Sequence, residues 1–367
     1  MTFSEERAPK IPSAKVARVM ERARHHLNRL HQRMAPPHAA MMELIMGAWI
    51  AQAITAAADL GVADALANGP LSADELAAAV NADPDALGRL LRALASREIF
   101  RHRRDGRYEL TALADTLRSD APGSMTGMAR LVGAPQWREH WSHLPDAVRT
   151  GRAVIPELRG KPAFEYLADE PQLAEIFNQA MTSSSELSIA PVIAAYDFSP
   201  YATIVDVGGG RGRLLAAILA ATPAARGVLF DLPQVVAGAP TLLRKHHAHD
   251  RVRIVEGSFF ERVPDDGEAY VLKHVIHDWP DDEAVHILRN VRAAAGTGKR
   301  VLLVELVIPK HDRDFLGKWM DLEMLIGVAA RERSATEYGQ LLNHAGFQMS
   351  RVVETASPFS IVEATAI

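Results

Sequence analysis

Ile204-Val205-Asp206-Val207-Gly208-Gly209-Gly210-Arg211-Gly212 is followed, nineteen residues after Gly212, by the acid that tips Gly227-Val228-Leu229-Phe230-Asp231. A β-branched strand entering a glycine loop, a helix over 214–221 and a second strand ending in a carboxylate make a nucleotide half-site of a doubly wound sheet. A dinucleotide fingerprint needs glycines at its first, third and sixth positions, but counting from Gly208 puts Gly210 third and Arg213 sixth. The pattern is therefore Asp206-x-Gly208-x-Gly210-x-Gly212. Neighbouring glycines also suit an ordinary tight turn; the flanking strand, helix and spaced acid are what point to a ligand.

Composition sets outer limits. The 367 residues suffice for two or three domains with a large core. A net charge of −4 argues against a general nucleic-acid binder. The absence of cysteine excludes disulfides, thiolate metal sites and a cysteine nucleophile. No apolar run is read as reaching the roughly 18 residues of a membrane span, and the first residues lack the basic-then-apolar order of a secretory signal. The expectation is a cytoplasmic protein without membrane or nucleic-acid partners.

Four segments follow along the chain. Residues 1–37 form a basic helical arm: over 1–34 eight Lys or Arg stand against three Glu, so the arm carries +5 and the remainder −9. A helix is predicted over 13–33, with Val16, Val19, Met20, Leu27 and Leu30 near one face. It reads either as a nucleic-acid or membrane tail or as a solvated arm packing on a partner subunit. Residues 38–121 give an apolar helix over 41–60, a capping box at Ser72 and Glu75, a helix over 85–96 opened by Asp83-Pro84, and a hairpin around Arg104-Asp105-Gly106. That is a winged-helix order. Its recognition helix carries only Asp85, Arg89 and Arg92, whereas Ile45, Met46, Trp49, Ile50 and Ile54 make the first helix apolar on most sides, so dimerisation explains the module better than DNA. Residues 122–200 read as a linker with substrate-covering helices around 137–148 and 163–195. Residues 201–367 hold strands predicted over 203–207, 227–231, 251–256, 269–273, 300–307, 348–354 and 359–364, the last two antiparallel. The fold class is α/β, a seven-stranded, doubly wound mixed sheet of Rossmann-like type, with a ligand beyond the carboxyl ends of its strands.

After the fourth of these strands comes Lys273-His274-Val275-Ile276-His277-Asp278-Trp279. With Asp-x-Gly-Gly-Gly-x-Gly, Phe230-Asp231-Leu232-Pro233, Gly257-Ser258-Phe259-Phe260, Phe177-Asn178-Gln179-Ala180-Met181 and Arg331-Glu332-Arg333-Ser334, it resembles S-adenosylmethionine-dependent small-molecule O-methyltransferases of the caffeate and carminomycin type. The likeness extends over most of the chain from Met41 onward.

The resemblance implies a homodimer that transfers a methyl group from S-adenosylmethionine to a hydroxyl of an aromatic small molecule, without a metal. It implies His277 as general base, flanked by Glu305 and Glu332. It places Gly208 and Gly210 at the donor's methionine part, Asp231 at its ribose, Ser258 and Phe259 at its adenine and Ser185 near its carboxylate, with Asp206, Leu232 and Lys273 completing that side. Phe259 has an equal reading as core, and Lys273 as a solvated strand end. Plant relatives carry Asp-Met at 258–259, so a carboxylate contact to adenine is replaced by aromatic packing. Trp137, Trp141, Phe177, Met181, Asp278, Met320 and Met324 are the candidate acceptor contacts. Met320 and Met324, one helical turn apart, either clamp a ring or pack into core. Gly327-Val328 replaces an asparagine of plant relatives, which favours a larger or more apolar acceptor.

The chemistry asks for such a base. Phenol titrates near ~10 and an unperturbed histidine near ~6.5, so full ionisation before attack would be uphill by roughly 5 kcal/mol. His277, at a strand end before Pro280, is poorly placed for a buried core histidine. His274 and His277 lie across the strand end, where their side chains are expected to diverge, and His246-His247-x-His249 reads as a solvated helical face, so neither group suggests a metal. Two alternatives stay open: a divergent relative performing hydroxylation or decarboxylation, and a ligand-sensing DNA-binding regulator built on the winged helix.

Overall fold

The computed structural model describes residues 11–367. The first ten residues of the basic arm lie outside this range. The chain divides into two compact units: one comprises the stretch ending at His26, Asp146–Pro156 and Ser188–Ile367, the other Leu27–Pro145 and Glu157–Leu187.

The second unit is mainly helical. Helices Gly47–Asp59, Ala73–Ala79 and Pro84–Ala95 precede a hairpin of β1 (Phe100–His102) and β2 (Tyr108–Leu110), paired from Phe100 opposite Leu110. Ser72 and Glu75 close the expected capping box, and Asp83 caps the next helix ahead of Pro84. Leu76, Leu87, Leu91, Leu94, Phe100 and Tyr108 form its core. The winged-helix order is thus present. Its hairpin arginines Arg101 and Arg103 pair with Glu109.

Two expectations need correction here. The helix predicted over 41–60 is two, Pro37–Ile45 and Gly47–Asp59, broken at Met46. Together they make one stretch, Pro37–Asp59, that is long and apolar enough to cross a membrane by length and composition, although no such run was read in the sequence. Isolated Glu43 and the small residues Gly47, Ala48 and Ala51 had hidden its length. The arm helix spans Ala14–Met34 and has no buried residue.

The other unit holds the large sheet: β3 (Thr203–Val207), β4 (Arg226–Asp231), β5 (Val252–Glu256), β6 (Ala269–Lys273), β7 (Arg300–Glu305), β8 (Phe347–Glu354) and β9 (Ser360–Ala366), in the order β5-β4-β3-β6-β7-β9-β8. β5 through β7 are parallel; β9 runs antiparallel to both β7 and β8. Alternation fills both faces. Val205, Val207, Tyr270 and Leu272 face a core shared with helices Asp281–Ala295 and Ala335–His344, while Ile204, Leu229 and Val271 face one shared with Arg213–Ala221 and Ala239–Lys245. From β3 the chain moves outward to β4 and β5, then returns to place β6 on the other side of β3. That reversal opens a crevice at the carboxyl end of β3, where the glycine loop begins.

Candidate active site

In the loop after β3, Gly208, Gly210 and Gly212 all take positive φ, which favours glycine. A Cβ on Gly208 would come within 2.8 Å of Val275 Cγ2, whereas one on Gly210 would meet nothing within 4 Å. Gly208 thus packs the loop against the β6 turn, and Gly210 presents bare backbone to open space. The Gly210 N–H donates to Asp231 Oδ2 at 2.8 Å and the Leu232 N–H to Oδ1 at 2.7 Å. Each carboxylate oxygen keeps a lone pair for a further donor. Burial raises Asp231, and raises Asp206, 1 % exposed below the loop, to about 7 against the pull of Lys273. The Phe259 ring lies 3.6 Å from where a Gly208 Cβ would stand and meets Trp279 edge-on. Ser258 Oγ accepts from the Phe260 N–H at 3.2 Å. Asn290, which sequence reasoning missed, donates to the carbonyls of Phe259 and Phe260 and holds this segment.

The turn after β6 gathers buried charge. His277 sits in the short helical turn Ile276–Asp278. Its Nδ1 is 2.9 Å from Glu332 Oε1 and its Nε2 is 3.4 Å from Asp278 Oδ1. Glu305, at the end of β7, accepts from the N–H groups of Val275 (3.3 Å) and Ile276 (3.0 Å). One atom each of His277, Glu305 and Glu332 lies within 4.8 Å of the others, near enough to share a single cation. Burial pushes His277 down, but the carboxylates of Asp278, Glu332 and Glu305 together outweigh it and raise it to about 10. Burial raises Glu305 to about 7 and also raises Asp278.

The structure overturns three details. His277 is buried, 5 % exposed, because its acidic shell compensates a charge that an apolar core would reject. His274 and His277 do not diverge: their rings are 4.9 Å apart, since His274 adopts φ of +54° and folds the turn back. Burial holds His274 well below the usual histidine range, so a neutral ring lies beside a charged one. His246 and His247 follow the end of a helix at Lys245, with His247 at positive φ, and form a turn instead of a helical face.

Arg333 was quoted in the sequence pattern but given no role. Its side chain is buried and donates to the carbonyls of Ile276 (3.0 Å) and Trp279 (2.8 Å), on either side of His277, and twice to Asp281 Oδ1. Asp321 receives the Glu332 N–H at 2.9 Å. Ser334 caps helix Ala335–His344 through a second capping box. Three consecutive residues, Glu332, Arg333 and Ser334, thereby fix both the histidine and its carboxylate.

Met320 packs partly buried against the sheet core, and Met324 is half-buried on the same helix, Leu316–Val328. In the helical unit, Trp137 lies tilted on Phe177 (6.0 Å between centroids) and beside buried His140 (5.7 Å). Trp141, Met181 and Ser185 are half-buried in that unit. A groove of about 520 Å³ along helix Arg213–Ala221, lined by Ile189, Ile193, Ala217 and His246, shares no residue with either site.

Residues 141–348 match the model of an O-methyltransferase domain and residues 42–120 that of an O-methyltransferase dimerisation domain. The chain belongs to the O-methyltransferase family. It is similar to the phenazine O-methyltransferase PhzM of Lysobacter antibioticus, 41% identical over 332 residues that span 90% of this chain and 97% of the relative. Among solved structures it resembles LaPhzM, at 40% identity and a TM-score of 0.85 over 91% of this chain and 100% of that one. It also resembles the O-methyltransferase NcsB1 from neocarzinostatin biosynthesis, solved with S-adenosylmethionine and 2-hydroxy-5-methyl naphthoic acid, at 35% identity and a TM-score of 0.73 over 87% of this chain and 96% of that one. O-Methyltransferases of this family use S-adenosylmethionine. The open backbone at Gly210 and the doubly anchored Asp231 suit an extended donor with a cis-diol.

Proposed function

We propose that this O-methyltransferase methylates a hydroxyl of an aromatic small molecule, with His277 as the proton acceptor. The observation that carries the reading is the buried His277 held between Glu332 and Asp278 with Glu305 behind the same turn. The relatives' phenazine and naphthoate substrates support the aromatic class.

S-Adenosylmethionine supplies an electrophilic methyl on a sulfonium sulfur, which departs as a thioether. Gly208, Gly210, Asp231, Ser258 and Phe259 would hold it, with Asp206, Leu232 and Lys273 nearby in the sheet unit and Ser185 from the helical one. The acceptor oxygen loses its proton and gains the carbon; Nε2 of a neutral His277 takes that proton while Nδ1–H stays on Glu332. With the imidazolium raised to about 10, transfer from a phenol of pKa ~10 is close to thermoneutral instead of roughly 5 kcal/mol uphill. The cost moves to the resting state, where the ring is already protonated at neutral pH. An acidic hydroxyl instead binds as its oxyanion against the imidazolium. Trp137, Trp141, Phe177, Met181, Asp278, Met320 and Met324 are the residues proposed to contact the acceptor, and a cytoplasmic location accords with the reading.

The test is incubation with labelled S-adenosylmethionine and a panel of phenols, hydroxyquinones and polycyclic aromatics. Activity should fall by roughly 100-fold or more in His277→Ala while donor affinity persists. An unchanged rate would remove His277 from the reaction.

A further inference from the structure

We propose that the arm helix Ala14–Met34 docks its apolar seam onto a second copy of this chain, across that copy's Pro37–Asp59 stretch. This stands independently of the acceptor and of the role of His277.

Val16, Met20, Ala23, Leu27, Leu30 and Met34 are spaced by alternating steps of four and three, the a/d pattern of a helix that packs against another helix. The large ones are all exposed, Leu27 by 64 % and Met34 by 78 %. The cations Lys15, Arg18, Arg22, Arg24, Arg29 and Arg33 all stand off that seam. Arg18 is tied to Glu354 at 3.4 Å and His31 to Glu43 at 3.3 Å, which leaves the apolar positions uncovered. A seam of this length without a cover is unusual on a monomer.

Three observations choose the occupant. Leu27, Leu30 and Met34 lead along the chain into Met41, Met42, Leu44, Ile45 and Trp49, each more than half exposed, in the helices where the dimerisation-domain match begins. The arm carries +5 against −9 for the rest of the chain, so a second copy's body attracts it. Pairing two arms would set two basic helices side by side, whereas Pro37–Asp59 contains only Glu43 and Asp59 as charged residues and accepts an apolar seam without repulsion. In a two-fold dimer the exchange is reciprocal and buries both surfaces twice. The PhzM relative is matched over 97% of its length while a tenth of this chain is left over, and the family models begin at residue 42. The arm helix, ending at Met34, thus lies ahead of the matched dimerisation domain.

Sedimentation velocity of the full chain over a dilution series tests this, comparing wild type with Leu27→Glu/Leu30→Glu and with Val16→Glu/Met20→Glu. Neither pair touches a buried residue, and circular dichroism with S-adenosylmethionine titration controls for folding. The dimer dissociation constant should rise by roughly tenfold or more in each pair. An unchanged constant in both would overturn the proposal, as would arm-dependent binding of wild type to phosphatidylserine vesicles or duplex DNA with the dimer unaffected.

Discussion

The glycine turn after β3 and the histidine turn after β6 lie at the ends of neighbouring parallel strands, yet different forces hold them. The first is shaped by backbone: positive φ at three glycines and two N–H groups on one carboxylate. The second is held by side chains drawn from residues 305, 321, 332 and 333. A turn made from its own backbone tolerates change elsewhere in the chain. A turn made from distant charges fails when any one tether is lost.

The sharpest way to break this contrast is Arg333→Met, which orphans the buried carbonyl of Ile276 and the partly buried one of Trp279, on either side of His277. Turnover should drop by roughly 100-fold or more with little change in donor affinity, and added guanidinium should restore part of it, as steady-state rates and calorimetry would show. If donor binding and turnover fell together, the two turns would not be separable. Glu332→Gln comes next. It removes a charge that raises His277, so the apparent pKa in the rate profile of a weakly acidic phenol should fall by at least about one unit, moving the climb in kcat/KM toward neutral pH.

For weakly acidic phenols, kcat/KM in the wild type should climb from neutral pH toward about 10 as the ring loses its proton, whereas an acceptor already ionised at pH 7 should show no such climb. Stability carries the same signature. The folded pKa lies above the unfolded ~6.5, so the ring's contribution is complete below that pH and is lost as pH rises through about 10. Urea titrations at several pH values, with His277→Gln as the reference, read that loss.

On the backbone side, Asp231→Asn should weaken the donor by roughly tenfold with turnover at saturation unchanged. The smallest effect separates two glycines. Gly208→Ala meets Val275 and a positive φ, and should cost about 1–3 kcal/mol of stability, while Gly210→Ala meets only the φ strain, about 1 kcal/mol. Equal costs by chemical denaturation would mean that the loop does not pack on the β6 turn.

Legibility in the sequence follows the same divide. The glycine loop, Asp231 and most strand limits could be read because spacing and alternation act between near neighbours; β3 and β6 occupy the residues their patterns predicted. The histidine could be singled out, but not its burial, its raised pKa or its contact with His274, since these depend on carboxylates brought in from β7 and from residue 332. Arg333 could not be interpreted because its partners are backbone carbonyls, which leave no mark in a sequence, and the distant carboxylate of Asp281. The break at Met46 escaped for another reason: an apolar run shows helical tendency but not where one helix stops and the next begins.

The placement of β9 has a consequence for how the enzyme is made. Glu305 stands opposite Ser360 in the sheet, and β7 gains its outer neighbour only after residues 360–366 have been synthesised. On the ribosome the Glu305 carboxylate therefore waits, on a half-paired strand, for a segment translated some fifty residues later. Until then the nascent chain exposes an open edge that invites association with other chains, and the arrival of β9 both shields that edge and completes the sheet beside Glu305.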